Sequence, residues 1–150
     1  MGWQFADFFA QADPSVLEAA LATWPECRGR LIVDPFPGIG VAVPERALTD
    51  GDSDEEQERA QELAWALERD LVAWSRRFPL TLFVFLRADC AGGTCWYEGY
   101  VCQDGVVREA AADRARGGAA LRQLVRALGV ELGDPPLFAP FTRGFFGRAP

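Results

Sequence analysis

Leu17, Ala20, Leu21 and Trp24 recur at the i, i+3, i+4, i+7 spacing of one apolar helix stripe. Asp13-Pro14 supplies an N-cap and a proline at the first helical position, and Pro25 closes the segment. Phe5, Phe8 and Phe9, with helix-like spacing just upstream, predict a preceding helical turn on the same face. A longer stripe runs through Ala60, Leu63, Ala64, Leu67, Leu71, Trp74 and Phe78; the capping-box pair Ser53 and Glu56 opens it and Pro79 ends it. A third stripe, Leu121, Leu124, Val125 and Leu128, stops at Gly129, the position of a helix-terminating glycine.

Between these stripes the pattern becomes that of strands. Residues 31–33 and 39–43 are short β-rich runs joined by Asp34-Pro35-Phe36-Pro37-Gly38, which predicts a hairpin. Residues 80–86 are nearly continuous apolar, as in a strand covered on both faces or central in its sheet. Gly92-Gly93 turns the chain into a strand over 96–102, and Asp104-Gly105, the strongest short hairpin signal present, leads into 106–109. The order is helix, two strands, helix, three strands, helix, then a tail over 133–150 rich in Pro, Gly and Phe. No repeat or linker divides the chain, so residues 1–150 read as a single α+β domain. The expected architecture is an antiparallel sheet of about five strands in two hairpin units, packed by three helices on one side. Phe138, Phe141, Phe145 and Phe146 are expected to fold back and hide a sheet edge; the alternative is a docking arm, with Arg143 and Arg148, for a larger assembly.

Composition narrows the chemistry sharply. The chain has no histidine, lysine or asparagine, and all 15 basic residues are arginine. Residues with AT-rich codons are scarce, the bias of a GC-rich, bacterial coding sequence rather than of selection for arginine. Without histidine, the usual general base, the Ser-His and Cys-His pairs and the commonest metal ligand are all missing. No cofactor signature takes their place. Gly92-Gly93 cannot be a P-loop, which needs a lysine and a following helix, and Phe36-Pro37-Gly38-Ile39-Gly40 lacks the third glycine of a dinucleotide site.

The net charge of −7 is uneven: residues 1–105 hold 18 acidic and 8 basic side chains, net −10, and residues 106–150 are net +3. An acidic surface of this kind repels nucleic acid and anionic lipid and favours a basic protein partner. No secretory signal or membrane-spanning run is visible, so a cytoplasmic protein with four free thiols is expected.

Several residues remain as candidates for chemistry. The acidic run over 50–58 fails as an EF-hand, with Glu55 where the turn needs glycine and Gln61 where the bidentate glutamate belongs; it reads as a solvated helix start. Cys90 and Cys95 flank the Gly-Gly turn, with Cys102 and Cys27 a poor second zinc pair, which leaves a disulfide or redox role or inert thiols. Asp89 and Glu98, on adjoining strands, are the one carboxylate pair with access to acid-base work. Exposed aromatics point elsewhere. Trp65 lies off the long helix's apolar stripe among glutamates, and alternation sends Tyr97 to the face opposite Trp96. The expectation is therefore a non-catalytic, cofactor-free protein of immunity or inhibitor type that neutralises a basic toxin or effector by occlusion. Asp52, Asp54, Glu55, Glu58 and Glu62 would steer the partner, and Trp65, Trp96 and Tyr97 would anchor it. A thiol-redox or carboxylate enzyme built on the Cys90–Cys95 hairpin is the rival from another class.

Overall fold

In the computed structural model, which describes residues 2–44, 46–48, 54–115, 117–142 and 144–147, the N-terminal segment is a strand and not a helical turn. This strand, β1 (Gly2–Ala10), is the spine of the sheet. Its phenylalanines mimic a helix stripe because it is covered on both faces: Phe8 points to one side and Phe5 and Phe9 to the other. A strand buried on both sides shows no alternation to betray it.

The remaining strands are β2 (Arg28–Ile32), β3 (Gly38–Ala42), β4 (Arg46–Leu48), β5 (Phe83–Ala91), β6 (Thr94–Gln103) and β7 (Val106–Ala112). They form one antiparallel sheet of order β2-β3-β1-β5-β6-β7. β4 continues the place of β3 alongside β1, since β3 pairs with residues 7–10 of β1 and β4 with residues 2–4. The α+β class stands, with six strand positions rather than five: β1 is the extra one, and it joins the two expected hairpin units. Both hairpin turns have the required backbone, with positive φ at Gly92 and Gly93 and at Asp104 and Gly105.

The helices are α1 (Pro14–Thr23), α2 (Asp54–Trp74) and α3 (Ala119–Val125); α3 runs on into a 3-10 turn over Arg126–Leu128, which Gly129 closes at φ 76°. Asp13 caps α1 by accepting the Ser15 backbone N–H at 3.0 Å, and its bonds from Ser15 hold its carboxyl below the usual range. The helices do not share one side of the sheet. α1 and α2 cover the face of Phe8, where its ring meets Trp24, Phe83 and Trp74 at 5.6, 5.9 and 6.1 Å. α3 and the tail cover the face of Phe9, whose ring lies 5.2 Å from Phe138, 6.0 Å from Phe141 and 6.3 Å from Phe146.

The tail is fastened by the edge strand β2. Arg28 donates to the Gly147 carbonyl at 2.7 Å; Arg30 donates to the Phe145 carbonyl at 2.6 Å and lies over its ring. Gly40 makes room for it, since a Cβ there would sit 2.9 Å from the Phe146 ring. Cys90 and Cys95 are direct partners across the β5–β6 hairpin and are joined as a disulfide, so the expectation of four thiols holds for two of them. The free thiols of Cys27 and Cys102 are buried. Among the described residues, no helix is long and apolar enough to cross a membrane.

Candidate functional site

The face under α1 and α2 changes character row by row toward the tip of the β5–β6 hairpin. Register places Phe8, Phe85, Tyr100 and Ala110 in one row across β1, β5, β6 and β7. The rings close this row: Phe85 stacks on Tyr100 at 5.3 Å, and the Tyr100 hydroxyl donates to the Glu68 carbonyl of α2. Burial, together with the nearby Cys102, Glu68 and Asp70, pushes the Tyr100 hydroxyl far up from its ordinary pKa.

The next row is Ala6, Arg87, Glu98 and Ala112, and the one after it Gln4, Asp89 and Trp96. Here packing gives out. Alanines at Ala6 and Ala112 on the sheet, and at Ala60 and Ala64 on α2, are too small to meet, and a groove of about 590 Å3 opens between them. That volume lies within the range of about 300–1,000 Å3 usual for sites that accept a ligand.

Arg87 is the groove's central charge. Its Nε donates to Glu98 Oε1 at 3.0 Å, its Nη2 reaches the same oxygen, and its Nη1 lies 3.7 Å from Glu68. Asp89, two residues along the same face, makes no hydrogen bond or ion pair with any described residue. Trp96 stands beside it, 44% exposed, without a ring neighbour among the described residues. Gln4 and Gln61 add amides from the floor and the roof. Among the described residues, the charged groups lining the groove are thus the carboxylates of Asp89, Glu98 and Asp113 and the guanidinium of Arg87, with Glu68 as a fourth carboxylate beside it.

The expected partner-binding residues fall into three places. Glu55, Glu58, Glu62 and Trp65 are exposed on α2, and the last three share an outward stripe, with Trp65 55% exposed. Trp96 walls the groove. Tyr97 is on the opposite face, its ring stacked on Phe141 at 5.9 Å, and burial beside Asp113 raises its hydroxyl pKa. Asp52 lies outside the described residues, as does Ser53 of the expected cap, and no side-chain detail is described for Asp54.

The rival pair of carboxylates does share this groove, with Glu98 tied to Arg87 and Asp89 unengaged. Sequence reading missed Arg87, Gln4 and Gln61. Residues 87 and 89 continue the alternation of β5 beyond its apolar run, and that was the available signal. Burial pushes the Cys27 thiol up to about 12, with help from Asp7 and Glu26. The Cys102 thiol rises to about 11 by burial, partly offset by a bond with Ser75. Neither thiol is poised as a nucleophile. Among the described residues no three His, Cys, Asp or Glu side chains converge as metal ligands do.

The chain matches no protein-family model, no curated protein and no solved structure.

Proposed function

We propose that the protein is a non-catalytic protein-binding module, an acidic inhibitor of immunity type that neutralises a basic partner by covering it. The observation that supports this reading is Trp65, a large aromatic left 55% exposed on α2 in line with Glu58 and Glu62. Exposed tryptophan is the costliest residue to leave in water and the commonest anchor of an interface. Carboxylates around it speed the approach of a basic partner and set its orientation, and their effect weakens with salt.

The test is capture of partners from the host lysate by the wild-type chain and by a Glu58→Gln, Glu62→Gln, Trp65→Ser variant, eluted along a salt gradient. A stoichiometric basic protein held by wild type, released at moderate salt and lost from the variant is the expected result. Equal capture by both proteins sinks the reading. The second reading, a carboxylate enzyme, draws on Asp89 and Glu98 lining one groove; it requires an activity that Asp89→Asn abolishes.

A further inference from the structure

The geometry points to the groove between α2 and the β5–β6 hairpin as a guanidinium site, filled by an arginine in an extended segment of the partner polypeptide. The assignment rests on the protein-binding reading and names what the groove contributes to it. Three features of the groove select the ligand.

The first is charge. Arg87 is already shared between Glu98 and Glu68, so the carboxylate of Asp89 is surplus, and an incoming cation balances it. An anion would meet Asp89 with no free positive group in the described lining.

The second is shape. Trp96 presents its indole beside Asp89, its direct cross-strand partner, so one flat group lies on the ring while its edge faces the carboxylate. Arginine is the natural side chain that is planar and stays cationic at neutral pH, and tryptophan is the ring that attracts it best.

The third is the supply of acceptors. Asp89, Gln4 and Gln61 line the same space, so a carboxylate and two amides with acceptor oxygens border it. A guanidinium brings five N–H donors in a fixed fork, whereas an ammonium brings three and a quaternary amine none. The alanines that carve the groove, Ala6, Ala60 and Ala64, leave room for the three-methylene stem to lie along apolar surface.

The probe is the blocked tripeptide acetyl-Gly-Arg-Gly-amide, titrated into the full chain while the Trp96 indole N–H and the hairpin amides are followed by NMR. Its counterparts carry lysine and the uncharged isostere citrulline. The expected result is a saturable shift centred on Trp96 and Asp89, with citrulline about tenfold weaker and lysine about threefold weaker. Asp89→Asn should weaken the arginine peptide about fivefold. Its melting temperature should be unchanged, because Asp89 is exposed and unengaged. Glu18→Gln, exposed on α1 and outside the groove, should leave the titration as in wild type. Citrulline binding as tightly as arginine, or wild-type affinity in a folded Asp89→Asn chain, overturns the assignment. A groove indifferent to arginine leaves the lysate capture untouched, because capture is tested on the α2 stripe, so the two failures are told apart.

Discussion

On the face covered by α3 and the tail, Phe9 has no exposure and meets rings from four other phenylalanines. On the face covered by α1 and α2, packing of the same quality surrounds Phe8 but gives way after Tyr100 to alanines, an ion pair and open space. The strands and their spacing are common to both faces. Side-chain size decides the outcome: aromatics close one face along its length, and four alanines hold the other open at one end. A groove made by residues too small to touch asks for no special backbone, and it keeps the site on rigid strands and a long helix.

The widest gap between the faces should appear on truncating their central rings and then on enlarging their small residues. Phe9→Ala removes a ring at the junction of the sheet with the tail, and the loss should be about 3–5 kcal/mol by urea denaturation. A loss under about 1 kcal/mol would mean that the tail does not close that face as described. Enlarging an alanine gives the converse test. Ala120→Leu enters the closed face, where Ala120 is buried, and should cost about 1–3 kcal/mol. Ala60→Leu enters the groove and should cost under about 1 kcal/mol while abolishing the arginine-peptide shift. Equal costs for the two substitutions would erase the contrast between a packed and an open face.

Alkaline titration tests the buried part of the α1 and α2 face. Cys27 has an ordinary thiol pKa of 9.0 when unfolded and about 12 in the fold. From about pH 9 to 12 the unfolded chain therefore releases a proton that the native state keeps. The native state binds more protons in that window, so stability falls as pH rises and is fully present below pH 9. Cys102 acts with the same sign up to about 11. The urea midpoint should decline across this range, and Cys27→Ala with Cys102→Ala should flatten the decline. At pH 8 an aromatic disulfide reagent should find no reactive thiol in the native chain and two in urea.

The sequence was most legible where one local rule acts alone. Asp13-Pro14, Asp104-Gly105 and Gly129 each carry a turn or cap chemistry that does not depend on the rest of the fold, and each lies where that chemistry requires. The 3.6-residue stripe of α2 was legible for a similar reason: Ala64, Leu67, Leu71 and Trp74 are its buried residues. β1 was not legible, because its apolar residues serve two faces and its Asp7, only 1% exposed, reads as a surface residue. The groove was half legible. Asp89, Glu98 and Trp96 stood out as chemistry-bearing residues, but the alanines that create the space are silent in one dimension. Their role appears only when β1, β5 and α2 are brought together.

The smallest effect is expected on the outer stripe of α2. Glu58, Glu62 and Trp65 are exposed and do not belong to either core, so their substitution should leave stability within about 0.5 kcal/mol of wild type. Glu62→Gln also removes one charge from a crowded acidic stretch, which relieves repulsion between i, i+4 glutamates by about 0.2–0.5 kcal/mol. A melting temperature equal to or slightly above wild type, rising less at high salt, is the expected outcome. Unchanged stability in a variant that no longer holds a basic protein would mark the stripe as a binding face. Should Trp65→Ser instead lower stability by more than about 1 kcal/mol, the ring would be packing against α2's own neighbours, and the acidic stripe would lose its anchor.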